Sequence, residues 1–280
     1  MKPQVILVTG ASTGIGEAAA RRLAKAGHTV YAGARRVERM KPLEADGVRT
    51  LFLDVTEDAS MTAAVERIER ETGGVDVLVN NAGYGSYGAI EDVPMDEARA
   101  QFEVNVFGLA RMSQLVLPGM RKKHAGRIIN ISSIGGRITL PLGSWYHASK
   151  HAVEGLSDCL RQEVSGFGIH VSVIQPGGTE SEWAKIAGEN VLKTSGQGAY
   201  AALAQGMASI MTRENAGGAL TQVPADVIAV LIQKAAEAPR PKTRYVGPGM
   251  AKMMLTARRW LSDRGWDNMI AGMARSMSKG

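Results

Sequence analysis

The sequence predicts an α/β protein built on one doubly wound parallel sheet, and three observations carry that expectation. Short apolar, β-rich runs alternate with longer helical patterns six times, starting from the first residues. The first of these runs passes straight into a glycine-rich turn that opens a helix. The chain has 280 residues, 45% hydrophobic and 21% charged, enough for one large domain around a buried sheet.

"QVILVTG" (4–10) is an unbroken apolar run, as expected of a parallel strand covered on both faces. "EAAARRLAKAG" (17–27) reads as a helix that stops at Gly27. "HTVYAGA" and "VRTLFLDV" follow as strands, "DASMTAAVERIERETG" as a helix and "VDVLVNNAG" as a strand. A long helical stretch runs through "DEARAQFEVNVFGLARMSQLVLPGM". After it come "GRIINISS" (strand), "SWYHASKHAVEGLSDCLRQEVSGFG" (helix) and "IHVSVIQPG" (strand). Residues 179–222 lose this regularity and fill with Gly, Ala, Ser and Met; they are helical in propensity but poorly bounded, which suggests a mobile lid or substrate loop. "PADVIAVLIQKAAEA" (224–238) returns as a helix, and "RYVGP" reads as a last short strand.

The expected division is a catalytic domain over 1–248 and a helical extension over 249–280. The extension repeats apolar residues at Met250, Met253, Met254, Ala257, Trp260 and Leu261, an amphipathic helical spacing. Three roles fit it: capping a pocket, packing on a partner subunit, or lying on a membrane surface through its basic face. Intramolecular or subunit packing is the favoured one.

Charge and cysteine content exclude several classes. Net charge is +6, but residues 250–280 carry six basic against two acidic side chains, leaving the main body near neutral. A nucleic-acid-binding stripe over that body is not expected. No apolar run reaches the roughly 18 to 20 residues needed to cross a bilayer, and the N-terminal stretch lacks a signal-peptide cleavage region. The single cysteine, Cys159, allows no internal disulfide, fits a reducing cytoplasm and is expected to pack within its helix.

Two motifs carry chemistry. Thr9-Gly10-Ala11-Ser12-Thr13-Gly14-Ile15-Gly16 joins the first strand to its helix, so glycine backbone and helix-start N–H groups could approach a pyrophosphate. Its Gly-x-x-x-Gly-x-Gly spacing departs from the Gly-x-Gly-x-x-Gly dinucleotide fingerprint. The second strand ends in Ala34-Arg35-Arg36, without the acid that would bond a ribose 2′-hydroxyl. Two guanidiniums there suit a 2′-phosphate, which favours NADP(H) over NAD(H); a solvated Arg-Arg pair is the plainer alternative. Further on, Tyr146 and Lys150 stand four residues apart, on one helix face. A nearby cation favours phenolate and lowers the phenol pKa from about 10. His147 and His151 share the same spacing, but no third ligand follows, so structural or interfacial roles are expected and no metal.

In order and spacing, "TGASTGIG" (9–16), "NNAG" (80–83), Asn105, Ser133 with Tyr146-x-x-x-Lys150, and "PGG" (176–178) resemble the short-chain dehydrogenase/reductase family. The likeness covers 4–180 by motif and extends to about 248 by architecture. It implies a Rossmann fold in a single domain and hydride transfer between a nicotinamide and a secondary alcohol or carbonyl. Tyr146 would be the general acid or base, Lys150 its tuner and a ribose ligand, and Ser133 the partner of the substrate oxygen. Ser132 faces the other way. Asn105 would interrupt its helix and anchor a proton relay, or else be a buried, backbone-bonded Asn.

For the cofactor, the resemblance assigns Gly10, Ser12, Thr13, Gly14, Ile15, Gly16, Arg35 and Arg36. Asp54 would bond the adenine amino group with Val55 against the ring. Asn81, Ala82 and Gly83 would flank the adenosine ribose. Pro176, Gly177 and Thr179 would meet the nicotinamide. The apolar stretch "AYAALAQGMASIMT" (199–212) points to a medium-sized apolar substrate, and the C-terminal extension resembles that of hydroxysteroid and retinol dehydrogenases, which implies a steroid-, retinoid- or lipid-like one. A non-catalytic NADP(H) sensor is the alternative, though such proteins lose the tyrosine or lysine. Relatives pair through helices at about 96–120 and 144–166, implying a homodimer or homotetramer.

Overall fold

In the computed structural model, residues 2–180, 182–212, 222–247 and 249–277 are described. Residues 181 and 213–221 of the expected lid, residue 248 at the expected domain boundary and the last three residues of the extension lie outside them.

Seven strands form one parallel sheet in the order β3-β2-β1-β4-β5-β6-β7. They are β1 (Val5–Thr9), β2 (Thr29–Ala34), β3 (Arg49–Phe52), β4 (Val77–Asn80), β5 (Gly126–Ile131), β6 (Ile169–Gln175) and β7 (Arg244–Val246). Strand order reverses beside β1, which pairs with β2 on one side and β4 on the other. The carboxyl ends of β1 and β4 therefore open onto the crevice where such sheets bind ligands.

Alternation along the strands sends successive side chains to opposite faces, and each face has its own core. Ile6, Val8, Val30, Val77 and Ile129 pack with Leu23 of α1 (Gly14–Lys25) and Ile228 and Ile232 of α9 (Ala225–Glu237). Leu7, Tyr31, Leu78 and Ile128 face the other way. They meet Val65 and Ile68 of α3 (Asp58–Thr72) and Met112, Val116 and Met120 of α5 (Leu109–Lys123). A short helix, α2 (Lys41–Glu44), leads into β3.

The long helical stretch expected over 96–120 is not one regular helix. It divides into α4 (Met95–Phe102), a π-helical segment (Glu103–Gly108) and α5. Asn105 lies inside the π-helical segment, so the interruption expected there is present. The next helix, α6 (Ser144–Glu163), packs against β6, the turn after β5 and the π-helical segment.

The described part of 179–222, expected as a helix-prone lid or substrate loop, forms two packed helices, α7 (Glu182–Ser195) and α8 (Ala201–Thr212). Ala187, Val191, Ala204, Met207 and Ala208 form a third buried cluster with Tyr87, Leu142 and Tyr146. Small alanines let two helices approach closely, and that same composition weakened the periodic signal in the sequence. Cys159 does not pack; it is exposed on α6, off the stripe that buries Tyr146, Val153 and Ser157.

The extension forms α10 (Met250–Trp260) and α11 (Asp263–Met277). Ala251 and Met254 are buried, whereas Met253 and Trp260 of the expected apolar stripe are 54% and 81% exposed. The chain turns extended at Leu261, and α11 folds back so that Trp266, not Trp260, fills the space over Ile138. Trp266 Nε1 donates to the Thr139 carbonyl at 3.2 Å. Among the described residues no helix is long and apolar enough to cross a membrane.

Candidate active site

A cavity of about 980 Å³ opens at the carboxyl ends of the strands. Every site residue expected from the sequence lines it, except Gly16 and Asn105. Both of these stand just behind its wall.

At one end lies the β1–α1 turn. Gly10 and Gly14 take φ values of +65° and +60°, which favour glycine. A Cβ at Gly16 would lie 2.5 Å from both Asn81 Nδ2 and the Gly10 carbonyl, so helix and loop close only on glycine. Asn81 supports the turn: its Nδ2 donates to the Thr9 and Gly10 carbonyls at 2.9 and 3.1 Å. Thr9 Oγ1 in turn accepts from the backbone N–H of Asn81 and Ala82, both at 3.0 Å. No side-chain cap bonds the start of α1, so its N–H groups face the cavity beside Ser12 and Thr13.

Arg35 and Arg36 border the same end. Arg36 Nη2 donates to Ser12 Oγ at 3.4 Å and lies 3.8 Å from the Glu182 carboxylate. Arg39 holds that carboxylate with two bonds, 2.9 and 2.5 Å, and lowers the pKa of Glu182. Asp54 Oδ1 accepts from Thr56 N and Oγ1 at 3.0 and 2.8 Å, fixing the turn after β3 with Val55 at the cavity wall. The glycine turn, uncapped helix start and paired guanidiniums fit a nicotinamide dinucleotide.

At the other end stand Ser133, Tyr146 and Lys150. Ser133 follows β5; its Oγ accepts from Gly135 N at 3.0 Å and is hydrogen-bonded to the Tyr146 phenol. The turn is tied to β6 by Ile134 N donating to the Pro176 carbonyl at 2.8 Å. Ser132 is buried, its hydroxyl 3.5 Å from the Lys150 carbonyl. Gly177 and Thr179 follow β6, where Thr179 bridges Val223 and its Oγ1 donates to the Gly177 carbonyl at 3.3 Å.

The expected lowering of the Tyr146 phenol by Lys150 is not what the site shows. Burial pushes that phenol up to about 12, offset only in part by the Ser133 hydroxyl. Burial also brings Lys150 down to about 8, with Glu154 opposing the fall. Lys150 Nζ donates to the Ile131 carbonyl at 2.9 Å and stands 6.0 Å from the centre of the Tyr146 ring. Desolvation therefore outweighs the attraction of the two groups for each other.

Asn105 is fully engaged. Its Oδ1 accepts from Tyr84 N at 3.0 Å; its Nδ2 donates to the Tyr84 carbonyl at 2.9 Å and to Ser149 Oγ at 3.0 Å. It thus joins the π-helical segment, the loop after β4 and α6. His147 is buried and structural. It faces the Gly135 carbonyl through Nδ1 at 3.0 Å and accepts from Leu140 N through Nε2 at 3.1 Å. Among the described residues no cluster of His, Cys, Asp or Glu could hold a metal.

Three contributors were not visible in the sequence. Tyr87 and Trp183 stand beside Tyr146, at 5.3 Å between ring centres in each case. Glu154, buried one turn beyond Lys150, accepts from Gln175 and Arg244, both at 2.9 Å. Tyr87 lies in an irregular loop and Trp183 on a weakly periodic helix, so neither had a pattern to reveal it. Glu154 could have been flagged by its i+4 spacing from Lys150.

A parallel sheet with a glycine-turn nucleotide cleft leading to a Ser-Tyr-Lys cluster defines a nicotinamide-dependent oxidoreductase of the Rossmann type. The chain belongs to the short-chain dehydrogenase/reductase family: the short chain dehydrogenase model matches residues 4–191. It is an alcohol/carbonyl oxidoreductase. It is 40% identical over 265 residues to a 3-ketodihydrosphingosine reductase of Bacteroides thetaiotaomicron, covering 94% of this chain and 95% of that one. It is 36% identical over 276 residues to an NADPH-dependent 3-dehydrocapnine reductase of Ornithobacterium rhinotracheale, with 94% and 95% covered. The crystal structure of a short-chain dehydrogenase from Streptomyces avermitilis superimposes with a TM-score of 0.79 at 31% identity, over 98% of this chain and 96% of that one.

Proposed function

We propose that the protein is an NADPH-dependent reductase of a ketone carried on an apolar, lipid-like chain. The observation that carries this reading is the make-up of the cavity at the carboxyl ends of the strands. Arg35 and Arg36 border one end, Tyr146 and Ser133 stand at the other, and Ile138, Met207, Ile210, Met250 and Met254 supply an apolar wall. The two reductases described above act at carbon 3 of a 3-keto or 3-dehydro substrate by name, and one is NADPH-dependent, which supports the same class here.

NADPH, when bound, supplies the hydride to the carbonyl carbon. Ser133 holds the carbonyl oxygen, and Tyr146 passes it the phenolic proton, so the ketone becomes a secondary alcohol. A phenol held up at about 12 is fully protonated near neutrality, which keeps the acid loaded for reduction. The phenolate left behind is stabilised by the Lys150 ammonium one turn away. Arg35 and Arg36 bind the 2′-phosphate, while Gly10, Ser12, Thr13, Gly14 and Ile15 hold the pyrophosphate. Asp54, Val55 and the Asn81–Gly83 segment flank the adenosine, and Pro176, Gly177 and Thr179 flank the nicotinamide.

In this reading residues 1–248 form the catalytic domain, α7 and α8 wall the substrate end, and α10 caps it. Phe107 and Leu156, 56% and 42% exposed on the π-helical segment and α6, suit pairing of two copies there. The test is consumption of NADPH and NADH with long-chain 3-ketones. Turnover with NADPH that falls at least about tenfold with NADH supports the reading; turnover only as alcohol oxidation with NAD+, or none with either cofactor, contradicts it.

A further inference from the structure

Trp260, at 81%, is the most exposed large apolar side chain among the described residues. It ends α10, the helix whose inner face lines the cavity through Met250, Ala251 and Met254. Met253, 54% exposed, precedes it by seven residues, two helical turns, so the two share one face. Leu255, Ala257 and Leu261 pack on the cluster of Ile138, Met254 and Trp266, which leaves out Met253 and Trp260. A lone exposed apolar side chain is ordinary. Two on one helix face, beside a patterned charge, are a different case.

The charge is basic. Lys252 and Arg259 are also seven apart, each one residue before the exposed apolar pair, and Arg264 follows near the start of α11. All three are exposed and have no ion-pair partner among the described residues. Arg258 differs: Asp263 holds it at 2.6 Å, and it lies over the ring of the buried Trp266. Asp267 is the other acid of α11. Residues 250–280 as a whole carry six basic against two acidic side chains. A helix that shows water an indole and a thioether, flanked by unpaired lysine and arginine, complements an anionic bilayer surface. A second copy of the chain fits this face less well. Two-fold pairing would set its cations against their own copies, and two apolar side chains fall short of the roughly 800 Å² per partner of a standard interface.

We infer that the outer side of α10 is a membrane-docking surface: Met253 and Trp260 sit among the headgroups of an anionic lipid bilayer, and Lys252 and Arg259 meet the headgroup charge. The inner face of the same helix walls the cavity, so docking sets that wall about 10 Å, one helix diameter, from the bilayer. A ketone on a lipid-like chain is dissolved there and not in water. The docking does not depend on the reduction chemistry; only its use to the enzyme rests on the reading above.

The test adds the full chain to vesicles of phosphatidylcholine mixed with phosphatidylglycerol, or of phosphatidylcholine alone, and separates bound protein by flotation. The wild type floats with the mixed vesicles, less so as salt rises, and binds the zwitterionic ones at least about tenfold more weakly. Its tryptophan emission shifts to shorter wavelength on the mixed vesicles, and Trp260→Phe removes the shift. Two paired variants, Met253→Ser with Trp260→Ser and Lys252→Gln with Arg259→Gln, each weaken binding by about tenfold or more. All four positions are exposed and outside the cavity, so both variants keep the wild-type Tm and the wild-type turnover of a short, water-soluble ketone. Turnover of a long-chain ketone carried in the mixed vesicles falls with binding. No binding to the mixed vesicles at low salt, no emission shift, or binding unchanged in either paired variant overturns the inference. A smaller assembly in solution for the Met253 and Trp260 variant also overturns it, since a second copy then covers the face. Vesicle binding without turnover of either ketone overturns the reductase reading and leaves the docking in place.

Discussion

Lys150 Nζ donates to the carbonyl oxygen of Ile131 at 2.9 Å, tying α6 to the last residue of β5. The ammonium is buried there, 7% exposed, and positioned from below the Tyr146 ring. Its place is fixed by the backbone of the sheet, so the cation is set before any ligand arrives.

That burial has a cost that depends on pH. Lys150 falls from 10.5 to about 8 in the folded protein. Between about 8 and 10.5 the unfolded chain binds the proton that the folded chain has released, so this group adds stability as pH rises through that window. Below about 8 its penalty is complete, on the order of 3 kcal/mol. Lys150→Met should therefore be at least as stable as the wild type at pH 7 in urea unfolding, with its advantage shrinking from pH 8 to 10.5, while reductase activity is lost. A variant destabilised equally at all pH values would show that the cation is not strained.

Arg36 lies between Ser12 and Glu182 at the proposed 2′-phosphate end. Arg36→Gln is expected to weaken NADPH binding by about tenfold or more and NADH binding by far less. Titration of intrinsic tryptophan fluorescence with each cofactor reads this directly. Equal weakening of both would place Arg36 outside phosphate recognition.

Glu154 is buried and joins four segments, accepting from Gln175 and Arg244 at 2.9 Å and from Arg137 at 3.2 Å. Removing it leaves these donors without their acceptor, although Arg244 keeps Asp158 at 2.7 Å. Glu154→Ala is expected to lose about 3 kcal/mol in equilibrium unfolding. A loss under about 0.5 kcal/mol, the level of an ordinary surface change, would show that the network is not structural.

His147 is held below 6.5 by burial, with His151 adding to the shift. The neutral ring accepts from Leu140 N, and a protonated Nε2 could not. As pH falls from 6.5 toward the folded-state value, the unfolded chain takes up the proton first and stability is lost. His170 is shifted the same way and contributes in parallel. His147→Gln should flatten, but not abolish, the decline in unfolding free energy between pH 7 and 5. An unchanged slope would assign the decline elsewhere.

The sheet was legible because parallel strands buried on both faces read as apolar runs, and the half-buried β7, three residues long, falls within "RYVGP". The glycine turn and the Tyr146–Lys150 spacing were legible for the same reason, since their geometry is local. Asn105 was legible as an interruption, but its three bonds to Tyr84 and Ser149 were not, because they join distant segments. The α7–α8 pair was obscured by its alanines, and Tyr87 by its irregular loop. The direction of the Tyr146 shift was not legible, because spacing shows proximity and not desolvation.

The most direct measurement is single-turnover reduction of a long-chain 3-ketone by the NADPH-loaded protein, comparing the wild type with Tyr146→Phe. Loss of nicotinamide absorbance gives the rate, and a fluorescence titration confirms that both bind NADPH. The account predicts that the variant binds NADPH within a few-fold of the wild type and is slower by about 100-fold or more. Equal rates for the two proteins would contradict it, because the proton would then come from another group.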